Sequence, residues 1–347
     1  MKRANAGSIE INATDLMNRY STDSIYSCFY KQYNMVDYER EEDPLSARIE
    51  EGLVGLLHPL TRLSMTLPIL QPIIRVLVTY FHVYGRVRGD LERVITEQTA
   101  LNLQARKEMA KAKKAGETFD PDNFKLSDGR VFKRNMLDAF IDNYIEGKVT
   151  TREYMNTSIF FVLAGVKTAA DVITQLFYYL STYQTVQEKL RESILMNGVD
   201  SKYLDWFINE VLRLGPPIVA GGPRRASRDI VVKDGVVPKD SVIFAPAYVV
   251  HRLPEYWGED ADQFKPERWE HTEKIHPAQY IPFGAGIRAC PGKEFVLLLM
   301  RKVLVALLTR FKFDRCSRTS DTPLFETPFF LMRKPEVATY LKISKLD

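Results

Sequence analysis

The stretch Phe283-Gly-Ala-Gly-Ile-Arg-Ala-Cys290-Pro-Gly292 constrains this chain more than any other part of it. A cysteine ends a glycine-rich loop and stands directly before Pro291. An apolar segment, Phe295 to Phe311, follows and reads as a helix. Proline is favoured at the first helical position, so the spacing predicts Cys290 at a helix N-terminus. There the helix dipole and free N–H groups stabilise an anion. Arg288 adds positive charge two residues earlier. These features favour a thiolate over a thiol. Gly284, Gly286 and Gly292 remove side-chain bulk, so a flat group can approach the backbone.

Three uses of such a thiolate differ in what they need. A catalytic nucleophile needs a nearby histidine base. None of His58, His82, His251, His271 and His276 stands in a paired motif with Cys290. Zinc needs more Cys or His at short spacing, and Cys28 and Cys316 are remote in sequence. Haem iron takes one axial thiolate. An arbitrary cysteine is more often a buried structural thiol; the ten residues around Cys290 argue against that. Three scattered cysteines form no disulfide scaffold, so a reduced compartment is expected. A net charge of +4, from 48 Lys+Arg against 44 Asp+Glu, is too small and dispersed to argue for nucleic acid.

The chain reads as mainly α with small β-sheets and no composition break. Helices are expected over Asp15 to Phe29, Ser46 to Leu57, Arg86 to Lys114 and Asn135 to Ile145. Leu60 to Phe81 carries two prolines and reads as a pair of short apolar helices, core packing or a membrane-touching patch. No transmembrane segment or signal peptide is expected. Thr150-x-x-Glu153 fits a capping box that opens a long helix to about Leu180. Thr185 and Tyr203 begin two more. Ile230 to Val237 predicts a hairpin turning at Asp234-Gly235. Ser241 to Ala247 and the tail from Thr322 suggest strands.

Three further motifs stand in order. Ala164-Gly165-Val-Lys-Thr168 lies on the long helix. Glu210-Val-Leu-Arg213 and Phe264-Lys-Pro-Glu-Arg268-Trp269 follow. A helical Gly costs ~1 kcal/mol against Ala. A Thr three residues on can bond a preceding-turn carbonyl and open a notch. With these three motifs, the Phe283 to Gly292 loop resembles the haem-binding loop of the cytochrome P450 family, F-x-x-G-x-R-x-C-x-G.

The resemblance implies the P450 fold with its N-terminal portion missing. It implies one partial domain over 1–347, with a distal helical lid in 1–149 and the haem-binding core in 150–347. It implies haem b held by Cys290 as the metal ligand, with Arg288, Phe283, Gly284, Gly292 and Arg224 binding the cofactor and Arg225 as the alternative to Arg224. Gly165, Lys167 and Thr168 become the oxygen-activation residues. Glu210, Arg213 and Arg268 become a buried scaffold. A monooxygenase follows, acting with O2 on a small lipophilic substrate. Its expected cavity walls are Phe161, Ala164, Val219, Ala220, Phe329 and Phe330. Electrons would come from an NADPH-dependent flavoprotein reductase docking on Arg288, Lys293, Arg301 and Lys302. The endoplasmic reticulum membrane, cytosolic face, is the implied location, with possible peripheral contact through Leu60 to Phe81; the cytoplasm follows if no anchor exists. Lys167 departs from the family, which has Asp or Glu before the threonine. That departure keeps open a lipid-peroxide isomerase or dehydratase. The missing N-terminal portion keeps open a non-catalytic product.

Overall fold

The computed structural model describes residues 7–30, 83–320, 327–329, 332–334 and 338–346. The helices expected over Ser46 to Leu57 and Leu60 to Phe81, and the wall residue Phe330, lie outside those residues. The described part is mainly α with small antiparallel sheets, as expected.

In chain order the elements are β1 (Ser8–Asn12), α1 (Ala13–Tyr30), α2 (Val83–Lys114), β2 (Asn123–Lys125), β3 (Val131–Lys133), α3 (Met136–Ile145) and α4 (Thr151–Thr182). Then come α5 (Gln184–Asn197), α6 (Lys202–Leu214), β4 (Arg224–Arg225), β5 (Ile230–Val232), β6 (Gly235–Val237) and β7 (Val242–Ile243). The short helices α7 (Ala247–Val250) and α8 (Pro254–Trp257) precede α9 (Lys293–Leu308) and the strands β8 (Phe311–Asp314), β9 (Thr327–Phe329), β10 (Met332–Lys334) and β11 (Tyr340–Lys345). Packing divides the chain into two compact units, Asn18–Lys167 and Met1–Met17 with Thr168–Asp347. The division falls inside α4.

In Asn18–Lys167, α4 starts where the capping box predicts. Thr150 N–H donates to Glu153 at 2.8 Å, and Glu153 N–H donates back to the Thr150 hydroxyl at 3.2 Å. The reciprocal bonds satisfy N–H groups that a helix start leaves open. Helix α2 packs on the β2–β3 hairpin through Ala105, Leu126 and Phe132. Asn102 bridges α2 to Asp138 of α3 at 2.5 Å. Burial raises the Asp138 carboxyl, against hydrogen bonds that lower it.

In the other unit, the C-terminal half of α4 is buried on every side, Ile173 and Leu176 completely. By length and apolarity α4 passes the test for a membrane span, contrary to the expectation that no segment would. Its burial inside the molecule identifies a core helix instead. Leu204 and Phe207 of α6 and Met300 and Leu304 of α9 complete this core. Gln187 of α5 grips both backbone groups of Phe313 in β8, at 2.8 and 2.9 Å. Strand β11 sits between β1 and β8. The β5–β6 register pairs Val232 with Gly235. The turn therefore falls at Lys233-Asp234, one residue earlier than the sequence suggests.

Candidate active site

Helix α6 carries Glu210 and Arg213 one turn apart, on a face with no solvent exposure. Ser201 caps its start by accepting from Leu204 N–H at 3.1 Å. Two arginine N–H groups reach the two Glu210 carboxylate oxygens, at 2.8 and 2.9 Å. The others reach the backbone carbonyls of His251 (2.8 Å), Ala261 (2.5 Å) and Gln263 (3.2 Å). A guanidinium has five donors in a rigid fork, and this geometry uses all of them.

Glu210 is satisfied from its other side. Arg268 donates to it at 2.9 Å, as do Lys265 N–H and the Trp269 indole N–H. The expected Glu210–Arg213–Arg268 contact thus exists. A buried carboxylate between two guanidiniums costs much desolvation and is tolerated only with every lone pair engaged. Trp269 and His251 are members that sequence reasoning missed. The signal for Trp269 was an indole at a position where phenylalanine would donate nothing.

His251 is fully buried on α7's C-terminal cap and lies 5.3 Å from the Tyr280 ring. Its Nε2 accepts from Ile281 N–H at 2.9 Å, and its Nδ1 lies 3.2 Å from the Arg213 carbonyl. Burial is the largest cause that pushes its ring down to about 4. Burial likewise holds the Tyr280 phenol well above its ordinary value.

The cysteine loop begins at Ile281. Gly284 N–H donates to the Ile281 carbonyl at 3.1 Å, and Cys290 N–H donates to the Phe283 carbonyl at 2.8 Å. Gly284 and Gly286 both hold φ of 69°, a left-handed backbone that favours glycine. The Cys290 side chain is exposed. A Cβ built on Gly292 would lie 3.9 Å from its sulfur, an ordinary contact distance. Helix α9 starts at Lys293 with Gly292 as its cap. Pro291 therefore precedes the cap rather than opening the helix, and Cys290 stands one turn upstream. Its carbonyl still accepts from Lys293 N–H at 3.4 Å. Among the described residues no group of three His, Cys, Asp or Glu gathers. An open thiol on a glycine cradle fits haem iron, which needs one protein ligand.

A groove of about 580 Å³ borders this loop. Ile208, Trp269, Tyr280, Phe283 and Leu297 line it. Among the basic residues expected to dock a partner, Arg301 pairs with Asp205 at 2.8 Å and Lys293 lies 3.9 Å from Glu294. Arg288 and Lys302 are exposed. Arg224 is exposed too, its guanidinium folded onto the Gly222 carbonyl at 2.8 Å.

Gly165 has a packing role. A Cβ there would fall 2.8 Å from the Ile25 methyl of α1. Phe161, Ala164, Gly165 and Thr168 are only partly buried, whereas Val162, Leu163, Val166 and Ala169 are buried. The spacing i, i+3, i+4, i+7 makes the partly open residues one stripe of α4. Lys167 is 5% exposed and shares a buried side of α4 with Asp171, at 2% one turn later. The cysteine loop and the Gly165–Lys167 segment belong to different units.

The family model of cytochrome P450 matches residues 1–341. Cytochrome P450 3A29 of Sus scrofa is 35% identical over 57% of this chain and 41% of its own length. Cytochrome P450 3A5 of Homo sapiens is 30% identical over 64% of this chain and 47% of its own. Cytochrome P450 3A12 of Canis lupus familiaris is 27% identical over 97% of this chain and 65% of its own. The chain spans about half the length of the first two. Matched along nearly its whole length by the family model, with the cysteine loop and the Glu210–Arg213–Arg268 contact in place, the chain belongs to the cytochrome P450 family.

Proposed function

We propose that this chain carries the haem-thiolate half of a monooxygenase that inserts one oxygen atom from O2 into a lipophilic substrate. The observation that carries this reading is the open Cys290 thiol, flanked by Gly292 and backed by a saturated buried network. When bound to the Cys290 thiolate, haem would supply the oxygen activation. The chain's residues do the rest. Cys290 holds the cofactor, and Phe283, Gly284 and Gly292 shape its cradle. Arg288 and Arg224 are exposed guanidiniums suited to bidentate carboxylate pairing. Thr168 offers a hydroxyl on the open stripe of α4, where Oγ1 can hand on a proton. Phe161 and Ala164 on that stripe offer an apolar surface to a small lipophilic substrate.

Electrons from an NADPH-dependent flavoprotein reductase complete this reading, with Arg288, Lys293, Arg301 and Lys302 as the basic residues assigned to its docking. The cytosolic face of the endoplasmic reticulum membrane goes with this reading. A second reading, isomerisation or dehydration of a lipid peroxide, needs no reductase. Buried Lys167, in place of an acid, is what favours it. The reduced carbon monoxide complex of the full chain tests the proposal. The band diagnostic of thiolate ligation is expected and should vanish in Cys290→Ser. Haem bound without that band overturns it. Product formed from a lipid peroxide alone, with no reductase dependence, selects the second reading.

A further inference from the structure

We propose that His251 is a positioning residue that sets the cysteine loop, fastening the first residue of the loop to the buried Glu210–Arg213 network. This rests on the haem-thiolate reading only for the loop's purpose. The fastening itself stands on geometry within one compact unit.

The tautomer follows from the donors. Ile281 N–H donates to Nε2 at 2.9 Å, so Nε2 carries no hydrogen. A neutral imidazole then has its proton on Nδ1, which donates to the Arg213 carbonyl at 3.2 Å. That carbonyl is in the last turn of α6, where helices leave C=O groups open. Arg213 returns the contact by donating to the His251 carbonyl at 2.8 Å. Ring and guanidinium therefore lock each other. Both nitrogens of the ring are used, and neither bond is available to an aliphatic or phenyl side chain.

From Ile281 the setting passes along the backbone. The Ile281 carbonyl accepts from Gly284 N–H, which forms the turn carrying Phe283. The Phe283 carbonyl accepts from Cys290 N–H at 2.8 Å. The ring thus anchors the near end of a loop whose far end bears the thiol. From Gly284 to Cys290 the loop is exposed, Ile287 fully, so few other contacts of its own hold that part.

Three measurements on the full chain test this. In the unmodified protein, nitrogen NMR of labelled histidine is expected to show His251 neutral with bare Nε2. An Nε2–H tautomer overturns the proposal, whatever any variant does. In His251→Phe, which keeps a ring against Tyr280, amide exchange is expected to rise at least tenfold across 281–290. The α6 amides should keep their protection. In His251→Gln, which retains an acceptor and a donor, loop protection is expected to return to within about threefold. Uniform loss of protection over α6 and the loop in both variants identifies a merely structural residue and overturns the proposal. Haem adds an independent readout. The thiolate-diagnostic fraction of the carbon monoxide complex should fall in His251→Phe and recover in His251→Gln. Loss of that band from the unmodified chain, with the tautomer and exchange results intact, refutes the haem reading and leaves the fastening standing.

Discussion

Two arginine–carboxylate contacts in this protein share a distance of 2.8 Å and differ in burial. Arg213–Glu210 has no exposed surface on either side chain, while Arg301–Asp205 is 31% and 44% exposed. Replacing each arginine by lysine keeps the charge and removes the fork. At Arg213 the five donors become three on a single nitrogen. The Glu210 oxygens and the Gln263 carbonyl keep donors in Arg268, Lys265 N–H and Trp269, so the two acceptors left without a partner, and with no water to replace it, are the carbonyls of His251 and Ala261. An unsatisfied buried group costs about 1–3 kcal/mol, so the expected loss is about 4 kcal/mol. That is a large fraction of the ~5–15 kcal/mol that holds a domain together. At Arg301 solvent replaces what is lost, and the expected change is below about 1 kcal/mol. Urea unfolding of both variants, followed by circular dichroism and by tryptophan fluorescence, measures the two values. Equal costs for Arg213→Lys and Arg301→Lys would refute the reasoning, because distance rather than desolvation would then decide.

Other outcomes follow from single contacts. A Cβ on Gly215 would fall 1.5 Å from the Gln175 side-chain oxygen, so Gly215→Ala is expected to destabilise by about 1–3 kcal/mol. Gln175→Ala in the same chain should recover part of that, and strictly additive costs in a double-mutant cycle count against the clash. Lys167→Asp sets a second acid one buried turn from Asp171, with an expected loss of about 3–5 kcal/mol; an unchanged Tm would contradict it. His251 has a folded value of about 4 against an ordinary 6.5. The folded state therefore binds fewer protons than the unfolded state between those values, and stability falls as pH drops through that window, by about 3 kcal/mol in full. His251→Gln should lose that part of the pH slope; an identical slope means that other groups carry it.

What could be read from the sequence was local or tightly spaced. The Thr150-x-x-Glu153 box placed the start of α4 because both partners lie within one turn. The Glu210–Arg213 spacing and the glycines around Cys290 were legible for the same reason. Strand β1 was not. Its partner is β11 at the other end of the chain, and no local pattern announces such pairing. The β2–β3 hairpin leaves little mark beyond the Asp128-Gly129 turn, since each strand has only three residues. Cys290 was expected at the helix start because proline usually opens a helix. Gly292 takes the cap instead, and the helix starts two residues later. His251 gave no signal because both of its partners are backbone atoms, and a backbone atom leaves no mark on the sequence.

The sheet that joins β1 to β11 has a temporal side. Thr339 N–H donates to the Thr14 hydroxyl across 325 residues of chain, and Ser8 pairs with Ser344. Residues 8–12 are synthesised long before residues 340–344, so their strand partner does not yet exist when they emerge. Until it does, their edge stays open to other chains. Closing so long a loop late makes this step slow relative to helix formation. A polar, short first strand, SIEIN, lowers the risk of that wait.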